Sequence, residues 1–118
     1  MRNAFGAYLR KRREELLDGS PEFSIRKLAA KIGVQPSYIS KVEREEVAPP
    51  SEPTIVRWAE TLGEDPDVLL ALAGKVSADL RDAIVKRPKV FAELIRELKD
   101  APDHALLRVV REVRDGNW

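Results

Sequence analysis

The sequence predicts an all-α fold, a five-helix unit followed by a short helical C-terminal tail. Three observations lead there. Apolar residues recur at helical spacings of three and four along most of the chain, and no segment alternates convincingly with a period of two. Glycine, proline and capping residues punctuate the chain between one apolar stripe and the next. The 118 residues are 43% hydrophobic and 35% charged. That is enough apolar content for a packed core and argues against disorder, and the length suits one domain or a small domain with an appendage.

The first helix is expected from Phe5 to Leu17, with Phe5, Leu9, Leu16 and Tyr8 on one stripe. "DGSPE" (18–22) ends it. Ser24 is placed to cap a second helix, Ile25 to Ile32, whose apolar positions are Ile25, Leu28, Ala29 and Ile32. Gly33 suits the left-handed position after that helix. A third helix starts at Pro36, where the missing N–H would be unpaired anyway and the fixed φ already suits a helix. Gln35 flanks it as a poor capping type. Ile39 and Val42 face inward, whereas Ser37, Ser40, Lys41 and Arg44 face outward.

A proline-rich loop (45–53) follows, and Ser51 is placed to cap a fourth helix reaching Leu62. Its stripe is Ile55, Trp58, Ala59 and Leu62, and Trp58 reads as core. A short fifth helix spans Val68 to Ala73 and is closed by Gly74. Residue 75 marks the boundary between a unit over 1–75 and a tail over 76–118. In the tail, Ser77 is placed to cap a helix to Lys86, and Pro88 starts one with the stripe Phe91, Leu94, Ile95 and Leu98. The last helix has Leu106, Val109, Val110 and Val113 inside. Its Arg108, Arg111 and Arg114 read as a solvated face.

Net charge is +1, so the global balance does not mark a nucleic-acid binder. Its distribution is uneven. Residues 1–50 hold ten Lys/Arg against seven Asp/Glu, residues 51–75 hold two against five, and residues 76–118 hold nine against eight. The positive clusters are "RKRR" (10–13) and "RKLAAK" (26–31), a modest pointer to phosphate. There is no cysteine, hence no disulfide and no thiolate metal site. The N-terminus is charged too early for a signal peptide, and no apolar run approaches the roughly 20 residues of a membrane span. The expectation is a soluble, cytoplasmic protein. No catalytic constellation is visible. Glu14–Glu15 and Glu45–Glu46 are poor acid/base pairs, His104 is a lone histidine, and no phosphate loop or metal-ligand spacing occurs. No enzyme activity, metal or cofactor is expected.

Two helices joined through a glycine turn, the second short and polar outside, form a helix-turn-helix arrangement. "SIRKLAAKIGVQPSYISKVERE" (24–45) closely resembles the signature of lambda-repressor-like, Xre-type regulators. The resemblance covers about residues 5–74 and joins Leu28-Ala29, Gly33-Val34, the run Ser37–Glu43 and the pattern Trp58-Ala59…Leu62-Gly63 in correct order. It implies a five-helix lambda-repressor-like domain that binds double-stranded DNA, usually as a homodimer, to control transcription, most often as a repressor on a palindromic operator.

Carried over residue by residue, the resemblance puts Gln35 and Ser37 at base edges. Lys41 lies one turn on, where a long donor reaches guanine O6 and N7. Ser40 flanks it, and Pro36 offers an apolar contact. Tyr38 and Arg44 suit phosphates, as do Ser24 and Arg26 at the start of the second helix. The family's inward carboxylate matches Glu43, and its arginine partner in the first helix matches Arg13, a structural ion pair. The chain departs from the pattern at Ile25 and Pro36, where glutamine is frequent, and at Glu45, where glycine often follows the helix. The turn "LLDGSPEFS" (16–24) is long for the family and is expected to project from the surface. The tail is expected to serve dimerisation or partner binding. Antitoxins and small immunity repressors share this layout, which adds a toxin or a regulatory metallopeptidase as alternative partners.

Overall fold

The computed structural model describes residues 4–116. Every regular element among them is helical: α1 (Phe5–Gly19), a 3-10 turn (Pro21–Phe23), α2 (Ile25–Ile32), α3 (Pro36–Glu43), α4 (Glu52–Leu62), α5 (Pro66–Leu72), α6 (Ala78–Lys86), α7 (Pro88–Leu98) and α8 (Asp103–Arg114). The chain divides into two compact units between Ser77 and Ala78. The first holds an N-terminal helix-turn-helix module, and the second consists of three further helices. The second unit is therefore more than the short extension expected from the sequence.

The head folds around one core. Leu9, Leu28, Ile39, Ile55, Trp58 and Leu69 are fully buried, with Leu62, Leu70 and Ile32 beside them. Each comes from the predicted stripes or from α5. Punctuation is largely chemical. The Ser24 hydroxyl accepts from Lys27 N–H at 3.2 Å. Gly33 ends α2 at φ +88°, and Gly63 ends α4 at φ +71°. A left-handed residue there costs glycine nothing.

Several boundaries differ from expectation. α1 runs on to Gly19 rather than Leu17 and closes at Ser20, whose hydroxyl accepts from Glu22 N–H. α5 begins at Pro66, because the Asp65 carboxylate accepts from Asp67 N–H at 2.9 Å and Pro66 suits the first turn. Ser51 sits at the start of α4, but its hydroxyl meets that of Thr54 at 3.2 Å and not a backbone N–H. The long turn does not simply project. Phe23 packs against the core, Lys31 lies 4.9 Å over its ring, and Lys31 Nζ donates to the Glu22 carbonyl. In α8, Val110 and Val113 are 47% and 61% exposed, not inside.

Gly6 carries a constraint that helical spacing does not reveal. It is buried in α1 where the end of α3 crosses. A Cβ there would strike the carbonyl oxygens of Val42 and Glu43 and the Glu45 side chain. Just beyond, Glu45 holds φ +60°, the only positive φ outside glycine among the described residues. The chain turns away from α1 in a conformation an L side chain rarely adopts. We expect Gly6→Ala to destabilise the head by about 1–3 kcal/mol, as overpacking against backbone does. Urea unfolding should show the midpoint drop with an unchanged slope.

Tyr8 joins α1 to the end of α4. Its hydroxyl donates to Glu64 Oε1 at 3.0 Å, and Arg12 Nε lies 3.3 Å from the same oxygen. That hydrogen bond, then burial and the nearby Glu64 charge, raise the phenol above its ordinary 10.0. A raised acid keeps its proton better folded than unfolded. Its stabilisation is complete below pH 10 and is lost as pH rises through the folded value. Thermal melts should therefore show a decline above pH 10 that Tyr8→Phe makes shallower.

Candidate nucleic-acid interface

The α2–α3 turn sets the candidate surface. Gly33 and Val34 N–H groups both donate to the Ala29 carbonyl, at 2.8 and 3.0 Å. Gln35 is extended, with φ −75° and ψ 144°, and its carbonyl accepts from Tyr38 and Ile39. No side chain caps α3, so Pro36 and the Gln35 carbonyl define its start. Ala29 is buried, with no bulk to keep α3 away from α2. Ile39 and Val42 are buried beneath α3, and Gln35, Pro36, Ser37, Lys41 and Arg44 are exposed above it. Ser37, Lys41 and Arg44 follow at i, i+4 and i+7, so they lie on one face.

Arg13 and Glu43 meet under this helix. Arg13 Nε donates to Glu43 Oε2 at 2.7 Å and NH2 donates to Oε1 at 3.0 Å. NH1 points to the Phe23 carbonyl at 3.4 Å. The two side chains are 7% and 3% exposed. The hydrogen bonding to Glu43 raises the Arg13 pKa against the opposing effect of burial, so the guanidinium stays charged. A two-pronged pair of this kind fixes orientation as well as distance.

The cations around α3 are not equivalent. Arg44 is held two-pronged by Glu46 at 3.2 and 3.1 Å. Lys41 and Arg26 form no ion pair among the described residues. A cleft beside α3 is lined by Arg10, Arg13, Ile25, Ser40, Glu43 and Arg44. Arg10, absent from the sequence-based set, brings a second exposed guanidinium to it, paired with Glu14 at 2.9 Å. Its place one turn before Arg13 in "RKRR" was the available signal.

One residue expected to face outward, Ser40, needs correction, and Tyr38, expected at phosphates, is less open than that role suggests. Ser40 is half-buried in the cleft wall, and the Tyr38 ring packs half-buried against the core. Both lie on the side of α3 that leans towards its neighbours. Ile25 also packs against the core, which is what this side chain does where an amide is frequent. Ser24, half-buried, and Arg26, exposed, border a groove with Leu17, Pro21, Lys27 and Ala30. The Ser24 cap occupies Lys27 N–H and leaves the first two amides of α2 open to an anion.

A helix-turn-helix family model matches residues 9–69. The chain belongs to the Xre-type helix-turn-helix family. The match spans the buried pair, the glycine turn and all of α3. Neither the curated proteins nor the solved structures yielded a match. The family is one of non-catalytic DNA-binding regulators. Among the described residues of this regulator, no group of three or more His, Cys, Asp or Glu is placed to hold a metal ion. No helix among them is long and apolar enough to cross a membrane.

Breaking a buried pair strands one charge, at a cost of about 3–5 kcal/mol. We expect Glu43→Ala to lower stability by that order while leaving base preference intact in the molecules that remain folded. A double-mutant cycle with Arg13→Ala should show strong coupling. Additive losses would mean that the two side chains act separately.

Proposed function

We propose that the chain is a sequence-specific transcriptional repressor that binds a palindromic operator as a dimer. The observation that supports this reading best is the exposed row Gln35, Ser37 and Lys41 on a helix held from below by Ile39, Val42 and the Arg13–Glu43 pair. A major groove admits one such helix. Lys41 has no counter-charge to give up among the described residues, so it is the natural donor to a guanine edge. Gln35 and Ser37 read the neighbouring positions, and Pro36 gives an apolar contact. Arg44, Ser24 and Arg26 hold the phosphates, and Arg10 joins Arg44 at the cleft. Ser40 and Tyr38 act at its edge. One head contacts few base pairs, so specificity comes from two heads about 34 Å apart on successive turns. Residues 1–75 then form the DNA-binding domain, and 76–118 link two copies, in the cytoplasm where the operator lies.

Selecting bound DNA from a random pool tests the reading directly, and a two-fold symmetric motif is the expected result. On that operator, Lys41→Ala should cost about 1–3 kcal/mol and much less on random DNA. Arg44→Ala should weaken both alike and reduce the salt slope by about one. Equal effects of both substitutions on both DNAs would overturn this division of roles.

A further inference from the structure

α3 is held unevenly. It packs chiefly on α1 and α2. At its C-terminal end Glu43 is locked to Arg13, beside the buried Val42. At its N-terminal end no side chain caps it. Ser37 lies about 9 Å along the axis from Glu43, at 1.5 Å per residue. A helix clamped at one end can still tilt about the clamp, and a tilt moves the far end most. Gln35 and Ser37, which read bases in the proposed complex, are at that far end.

The far end hangs on the turn from α2, and that turn is anchored from a third helix. Gly33 and Val34 close it on the Ala29 carbonyl. The last carbonyls of α2 have no later helical N–H to accept from. One of them, that of Ile32, accepts instead from Arg57 Nε of α4 at 3.1 Å. The same guanidinium donates through NH2 to Thr54 Oγ1 at 3.3 Å. A guanidinium only donates, so Thr54 Oγ1 accepts here and its own proton is left for Ser51 Oγ at 3.2 Å. Ser51, which caps no backbone N–H, is used in this way instead. A chain of hydrogen bonds thus runs from the start of α4 to the last residue before the glycine turn.

The base of Arg57 is rigid. Ile55, Trp58 and Ala59 around it are fully buried, which fixes the rotation of α4. A cation at the C-terminal end of α2 is also well placed against the helix dipole.

We infer that Arg57 is a positioning residue: by holding the Ile32 carbonyl from α4, it fixes the tilt of α3 and so the direction in which Gln35 and Ser37 point. The inference rests on the DNA-binding reading for its purpose, but one arm of its test involves no DNA. Lys41 lies two residues from the Glu43 clamp, so its contact depends on Arg57 much less.

The test compares the full-length chain with Arg57→Ala and Arg57→Lys by urea unfolding, amide hydrogen exchange and selection from a random DNA pool. Lysine keeps the charge but lacks the planar fork that serves a carbonyl and a hydroxyl together. Both variants should exchange the Gly33 and Val34 amides about tenfold faster, beyond any change in global stability, with α1 and α4 amides unaffected. Arg57→Ala should lower affinity for the wild-type operator about tenfold and for random DNA less than about twofold. The motif it selects should lose preference at the positions that Gln35→Ala and Ser37→Ala also relax, and keep it at the position that Lys41→Ala relaxes. Full rescue by Arg57→Lys would mean that charge alone matters, and overturns the inference. So does an equal loss on both DNAs with a salt slope lower by about one, the mark of a phosphate contact. So does a lower urea midpoint with exchange and base preference unchanged, the mark of a stabilising bond alone. A wild-type chain that selects no operator counts against the DNA-binding reading. Exchange then decides by itself, and unchanged Gly33 and Val34 amides overturn the positioning.

Discussion

The buried contact between Arg13 and Glu43 is the constraint on which the candidate surface depends. α3 has eight residues, too few to hold a helix in water without tertiary support. From below it is gripped by two aliphatic side chains and one carboxylate. An apolar replacement of the pair would often be as stable or more so. Stability alone is therefore a poor account of the ions. Two parallel N–H···O contacts fix the rotation of α3 about its own axis, and rotation decides where Ser37 and Lys41 point. The same guanidinium reaches the Phe23 carbonyl, so α1, the 3-10 turn and α3 are tied at one group.

The far end of α3 is governed by sterics. Gly6 lets the Val42 and Glu43 carbonyls approach α1 more closely than any side chain allows, and Glu45 turns the chain away at positive φ. Glutamate there is a local cost, of the order of 1–2 kcal/mol for a left-handed L residue. Its side chain lies across Gly6, so the residue that bears the strain also closes the contact. The amide-rich pattern frequent in this family is absent at Ile25 and Pro36, and both positions serve packing or helix initiation here.

Much of the head was legible in the sequence, because its signals are local. Spacing gave the stripes, Ser24 and Gly33 marked both ends of α2, and Pro36 marked the start of α3. The Arg13–Glu43 match came from resemblance, since nothing local joins residues thirty apart. Gly6 was missed because a glycine in a helix looks the same whether it faces solvent or a crossing backbone. Arg10 was missed because its relevance depends on where α3 brings Ser40 and Arg44. Ser40 was placed too far outward, since periodicity gives an angle and not the height of the neighbouring wall. The ends of α1 and α5 shifted for a similar reason, with Ser20 and Asp65 supplying hydrogen bonds that the apolar pattern does not contain.

The tail shows the limit of periodicity most clearly. Val110 and Val113 recur at helical spacing as faithfully as Ile55 and Trp58, yet the first two are exposed and the last two are buried. A stripe states that a face seeks cover, not that the same chain provides it. In the head, five helices enclose a volume large enough for an indole, and Trp58 fills it even though its Nε1–H finds no partner. Burying that ring outweighs one unpaired N–H, which costs about 1–3 kcal/mol. In the tail, three short helices enclose no such volume. In the proposed dimer, two chains would supply the missing interior. Head folding is then independent of protein concentration, whereas head pairing is not. Occupancy of a two-half-site operator would accordingly rise more steeply than linearly with the amount of protein, and a fully folded monomeric head would serve as the resting species.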